Sequence, residues 1–184
     1  MSGLDRWRTV ADGFSARVDA VPADRWDSPA PCAGWTARDV VGHLVGWVPP
    51  LLDAGAGIRF EGIPSVADDP AAAWRRLRGA LDDIVADPDV SERRFDHPQA
   101  GRHPLDQAIA MFVVGDLLIH TWDLARATGQ DERLDPAAVH DQLLGMEAFD
   151  PGFLEATGQY GPAVAVPADA DEQTRLLALT GRRV

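Results

Sequence analysis

Between Pro104 and Gly129 the chain carries about 25 residues of helical sequence, its longest predicted element, opened by a proline and closed by a glycine that suits the position just past a helix. Val113, Val114, Leu117, Leu118, Ile119 and Leu124 make much of this run apolar, so it has to be covered by other elements. Strand-like alternation is almost absent from the rest of the chain. The covering elements are therefore helices, and the predicted class is all-α.

Three earlier helices are marked by stripes and punctuation. Leu4, Trp7, Val10, Ala11, Phe14 and Val18 fall at steps of three and four, with Ser2 available as a cap. After a proline-rich loop over residues 21–34, Thr36 and Asp39 form a capping box with aspartate in place of the usual glutamate. The helix that follows runs through His43, Leu44 and Val48, and Pro49 and Pro50 are expected to kink or end it. Asp69-Pro70 opens a third helix with Ala73, Trp74, Leu77, Leu81 and Ile84 inward, and the stretch to about His103 reads as loop, with His97 and His103 as solvated loop histidines.

Past Gly129, Asp135-Pro136 opens a fifth helix reaching about Phe149, and a short one is expected from Asp171 to Thr180. Tyr160 to Pro167 looks extended. The 184 residues suit one domain, a four-helix bundle over about residues 1–150 with extra C-terminal helices and a short extended segment over about 151–184 as an appendage.

Composition narrows the function classes. Seventeen basic residues, all arginine, against 29 acidic ones give a net charge of −12, which repels nucleic acid and anionic lipid alike. The absence of lysine and asparagine reads as GC bias in the genome. No apolar signal core opens the chain and no run of about 18 consecutive apolar residues occurs, so the expected compartment is cytoplasmic, with no membrane partner. A single cysteine, Cys32, excludes an internal disulfide and a cysteine-rich metal site.

Asp116 and His120 lie four residues apart on the long helix, a spacing of roughly 400 degrees and 6 Å, which puts both on one face within reach of a common atom. Two readings follow: a shared metal ion, or a packed histidine beside an ordinary helix carboxylate. The apolar flanks mean that at least one of the two faces the interior, where it needs a partner.

Two stretches together, Pro31 to Leu44 (PCAGWTARDVVGHL) and Asp116 to Gly129 (DLLIHTWDLARATG), resemble the metal-binding domain of mycothiol-dependent maleylpyruvate isomerase, within the DinB-like superfamily of metalloenzymes. The likeness covers about residues 5 to 150, and the tail from Asp169 to Gly181 is similar to that of short relatives. The resemblance implies a four-helix bundle holding one divalent ion, usually zinc, and carried over by position the ligands are His43, Asp116 and His120. Two imidazoles and one carboxylate with an open position match catalytic zinc sites. The isomerase pattern has glutamate at the position of Asp116 and carries a further C-terminal domain, so a substrate other than maleylpyruvate is expected.

Around these ligands, Asp39 reads as a helix cap or as a partner of His43, and Asp123 as a partner of His120 or a surface mate of Arg126. Trp35, Trp47 and Trp122 read as packing or as pocket walls, and Cys32 as a buried small side chain or a reactive thiol. The leading expectation is metal-dependent transfer or isomerisation in which a thiol, mycothiol, attacks a small electrophile. Two alternatives stand beside it: a metal-dependent hydrolase of a small substrate with Asp123 relaying the proton, and a non-enzymatic metal- or ligand-binding module. The expected partners are a small-molecule substrate and, as an open alternative, a second copy of the chain.

Overall fold

A computed structural model describes residues 3–149 and 158–184. Helix α1 (Gly3–Asp19) buries Trp7, Val10, Ala11, Phe14 and Val18, the stripe expected from their spacing; the Ser2 cap lies outside the described residues. Helix α2 (Ala37–Ala56) starts at the Thr36–Asp39 capping box and stops at Gly57, a left-handed residue with φ 65°. In α3 (Pro70–Ala86) the Asp69 side chain accepts from Ala72 N at 2.8 Å and Pro70 takes the first turn. The fourth long element is continuous from Leu105 to Thr128: α5 (Leu105–Ala108), a π-helical turn (Ile109–Val114) and α6 (Gly115–Thr128), closed by Gly129 at φ 73°.

These helices form a ring of contacts, α1 against α3 and α6, and α2 against α3 and α6, around one continuous apolar core. The arrangement is all-α and consistent with the DinB-like fold. Full burial of side chains such as Phe14, Leu44, Leu77 and Leu117 contributes about 1.5–3 kcal/mol each relative to exposure. Two indoles on the core's edge are matched: Trp7 Nε1 donates to Asp82 at 2.7 Å, and Trp74 Nε1 to Ser15 Oγ at 2.8 Å.

Several expectations need correction. Helix α2 runs unbroken through Pro49 and Pro50 to Ala56; each proline removes one amide donor, but Leu44, Val48 and Leu52 are buried along the same stripe, and that burial outweighs the loss. The stretch read as loop before His103 contains a short helix α4 (Pro88–Ser91) and an antiparallel hairpin, β1 (Arg94–His97) with β2 (Gly101–Pro104), registered Phe95 against His103. His97 and His103 are built into that hairpin rather than solvated at random: His97 Nδ1 accepts from Ala100 N at 3.2 Å, and His103 Nε2 bonds Ala100 O at 2.9 Å. By length and mean apolarity the Leu105–Thr128 rod also qualifies as a membrane span, although 78% of its apolar window is buried inside the protein, as in a core helix.

Among the described residues two further helices follow, α7 (Pro136–Glu147), capped by Asp135, and α8 (Glu172–Leu179), capped by Asp171. They pack on each other and are bridged by His140–Glu172 at 2.9 Å and by Arg175–Glu147. The segment expected to be extended ahead of α8 is tied back to it by Val164 N donating to Ala178 O at 2.9 Å.

Phe95, fully buried, anchors the hairpin by packing directly against Gly55 of α2, where an added Cβ would sit 2.0 Å from the ring. Gly55→Ala must therefore displace the ring and is expected to cost about 1–3 kcal/mol, read as a lower urea midpoint at unchanged slope; an unchanged midpoint would show that the hairpin does not depend on this contact.

Candidate metal centre

His43 enters from α2, one turn past Asp39, so the capping box that starts the helix also fixes the rotation at which His43 projects. Asp39 is fully engaged in that box, with Oδ2 accepting from Thr36 N at 2.8 Å and from Thr36 Oγ1 at 2.7 Å. Asp116 and His120 enter from the first two turns of α6, immediately after the π-helical turn; such turns widen a helix locally and recur at functional sites.

The three side chains converge. His43 Nε2 lies 3.1 Å from Asp116 Oδ2, and His120 Nε2 lies 3.3 Å from Asp116 Oδ1. One donor atom from each residue falls within 4.8 Å of the others, and the His43 and His120 ring centroids are 4.8 Å apart. Trp47 Nε1 adds a bond to Asp116 Oδ2 at 3.0 Å. Trp35, the residue before the cap, lies over both imidazoles, 5.1 Å from His43 and 5.7 Å from His120. Trp35 and Trp47 are therefore walls of the site, whereas Trp122 is fully buried with the Arg126 guanidinium 4.4 Å from its ring centroid.

His120 is held from both sides. Its Nδ1 lies 2.8 Å from Asp123 Oδ2, and Asp123 is 0% exposed while His120 is 4% exposed. Burial alone would strip the His120 proton, but the Asp116 charge and the bonds to Asp116 and Asp123 raise its pKa well above the ordinary imidazole value. Burial pushes Asp116 up as well; the charge of His120 and the bonds from both imidazoles overcome it and hold the carboxyl well below the usual range. In Asp123 burial is likewise outweighed, by bonds from His120 and Arg182. Arg126, the alternative partner for Asp123 in the sequence, pairs instead with Glu132 at 2.9 Å.

Sequence reasoning missed Arg182. Its Nη2 lies 2.8 Å from Asp123 Oδ2 and its Nε 3.3 Å from Oδ1, and Cys32, partly exposed, is 3.5 Å from both Asp123 Oδ2 and Arg182 Nη2. A buried carboxylate needs a cation or several donors, which is the signal that points to such a partner, but nothing local says which arginine supplies it. Tyr160, also from the tail, lies close enough that, beyond the effect of burial, the Asp116 charge raises its phenol pKa.

The donor set fits a divalent ion. Asp116 meets the two imidazoles through different oxygens, Oδ2 toward His43 at 3.1 Å and Oδ1 toward His120 at 3.3 Å, so a carboxylate lies between two nitrogen donors, a mixed N/O set of the kind zinc takes. Asp123 on Nδ1 leaves Nε2 as the nitrogen directed at Asp116, the arrangement in which a carboxylate orients a metal-binding histidine. A second cluster, Cys32, His120 and Asp123, shares His120, but the Arg182 cation already lies on its carboxylate.

The Asp123 bonds have a pH signature. Because its folded-state pKa is lowered, the stabilisation is complete above the ordinary carboxylate value near 3.9 and is lost as pH falls from there through the folded value. Asp123→Asn is expected to cost about 3–5 kcal/mol near neutral pH by leaving Arg182 buried and unpaired, and to flatten the acid limb of stability against pH in urea unfolding. An acid limb as steep as in the unsubstituted chain would remove Asp123 from that account.

Comparison with known proteins gives the chain's family. The chain is 29% identical, over the full length of both chains, to Rv0738 of Mycobacterium tuberculosis strain H37Rv and to MT0763 of strain CDC 1551. A further M. tuberculosis protein, Rv0036c, is 28% identical over 66% of this chain and 54% of its own. All three are described only as uncharacterized proteins. No solved structure matches the chain. The family profile of the mycothiol maleylpyruvate isomerase N-terminal domain matches residues 7–125, a span that includes His43, Asp116, His120 and Asp123. The chain belongs to the mycothiol maleylpyruvate isomerase N-terminal domain family.

Proposed function

We propose that this protein binds one divalent ion, zinc in first place, through His43 Nε2, the Asp116 carboxylate and His120 Nε2, and that it transfers or isomerises a small electrophile with a mycothiol-type thiol as cosubstrate. The observation that carries the reading is the His120 clamp, with Asp123 on one ring nitrogen and Asp116 facing the other. When bound, such an ion supplies Lewis acidity, so that a thiol beside it loses its proton near neutral pH.

The chain's own residues do the rest. His43, Asp116 and His120 would hold the ion with three protein donors, the number found in catalytic rather than closed structural zinc sites. With the ion in place of the His120 proton, Asp116 would supply the negative charge that the imidazoles lack, and Trp47 holds that carboxylate by its indole N–H. Trp35 covers the imidazole pair on one side and limits water there. Family membership supports a mycothiol-related activity at this site. The acidic charge and single cysteine favour a cytoplasmic setting and a small-molecule substrate.

A hydrolase with Asp123 as proton relay is the second reading. It is disfavoured because both Asp123 oxygens are engaged, by His120 and Arg182, and the residue is wholly buried. The third reading, a binding module without turnover, shares the metal and lacks only the chemistry.

Protein purified without an affinity tag is expected to carry stoichiometric metal by elemental analysis. His43→Ala and His120→Ala should each lose it, with affinity down at least tenfold. Stoichiometric metal surviving both substitutions would sink the ligand assignment. Incubation with mycothiol and a haloarene should deplete free thiol only when metal is present; metal-independent depletion, or none across a broad panel of electrophiles, would favour the binding module.

A further inference from the structure

Arg182 lies outside the stretch that the family profile matches and reaches the site from the far end of the chain. Its position is built by the end of α8. Leu176 and Leu177 are fully buried, which fixes the helix, and Gly181 at φ 82° reverses the chain just past it. Gly181 N donates to Ala178 O at 3.0 Å and Arg182 N to Leu177 O at 2.9 Å, the paired bonds of a Schellman closure. A side chain at Gly181 is excluded twice over, by that φ and by Gly161, whose Cα would lie 2.9 Å from an added Cβ.

From this turn the guanidinium reaches Asp123 with two prongs, Nη2 to Oδ2 at 2.8 Å and Nε to Oδ1 at 3.3 Å, while Nη1 donates to Thr180 O at 2.9 Å. The Arg182 side chain is 11% exposed and that of Asp123 0%. Asp123 Oδ2 is also the atom that meets His120 Nδ1 at 2.8 Å. One carboxylate oxygen thus carries both the tail's cation and the imidazole. Without the fork, Asp123 keeps the His120 and Cys32 contacts on Oδ2 but loses the Arg182 donors on both oxygens; a buried oxygen left without its donor favours rotation of the carboxylate toward new ones, and rotation loosens the bond to Nδ1.

We propose that Arg182 is a positioning residue of the metal centre: it holds the Asp123 carboxylate in place, and Asp123 in turn holds His120 with Nε2 on Asp116, so the site is complete only when the C-terminal tail is docked. The inference rests on the metal-centre reading above for its functional meaning, but the coupling itself is present in the protein alone.

The test uses the full chain with 15N-labelled histidine, comparing Arg182→Met, which removes the charge at similar length, and Arg182→Lys, which keeps a charge without the fork. In the unsubstituted protein without added metal, the His120 Nδ1–H resonance should be visible and slow to exchange. In Arg182→Met it should broaden or vanish while circular dichroism stays helical, and zinc affinity should fall about 10–100-fold; Arg182→Lys should recover part of both.

A stability role alone would lower the melting temperature and leave the ring proton and the zinc affinity of folded molecules unchanged, and that result overturns the inference. If Arg182→Met does not fold, Arg182→Lys decides: a weakened ring-proton signal supports the coupling and an unaltered one overturns it. Should the unsubstituted protein bind no zinc while the ring proton is still lost on substitution, the metal-centre reading fails and the positioning role stands.

Discussion

A histidine with 4% exposure, bonded to a carboxylate with none, is costly to place inside a helical core unless each charge finds its opposite. The His120–Asp123 contact meets that condition through a relay of opposite groups running from Arg182 to Asp123, His120, Asp116 and His43. Each member has a partner on either side or opens toward solvent at the end. The neighbouring packing follows from it: α8 is placed to deliver Arg182, the loop before α2 brings Cys32 and Trp35 alongside, and α2 presents His43 and Trp47 to Asp116. Removing one link leaves a buried charge rather than a small void, which is why the polar string matters more than its few contacts imply.

Most helices were legible because their signals are local. Asp69-Pro70, Asp135-Pro136 and Asp171 each cap a helix where the residue type alone says so, and Thr36 with Asp39 form both bonds of the capping box. The stripe in α1 is read from spacing because 3.6 residues per turn leaves no other face to bury. What escaped was decided by tertiary packing. Pro49 and Pro50 are expected from the sequence to kink or end α2, yet the helix continues through them because its buried stripe outweighs two missing amide bonds. The hairpin has four-residue strands with little alternation, and the burial of Phe95 depends on its close approach to Gly55 of α2, a contact made across the fold.

The site was legible to a similar depth. Asp116 and His120 follow from a four-residue helical step, a purely local fact, while His43 comes from 73 residues earlier and was reached only through resemblance. Arg182 is 59 residues beyond Asp123, in a tail whose sequence advertises a helix end and no destination. A distant arginine can satisfy a buried carboxylate from any direction, so its identity is a property of the folded chain.

The π-helical turn from Ile109 to Val114 sits directly upstream of Asp116. A π turn differs from an α turn by one extra residue per ring of hydrogen bonds, so it is the place where this helix can gain or lose a residue while the α-helical register downstream stays fixed. Length changes in the hairpin and the start of the rod can therefore be absorbed before they reach the candidate ligands. In mechanical terms the turn is an expansion joint: a change in length on its upstream side can be taken up there without rotating Asp116, His120 and Asp123.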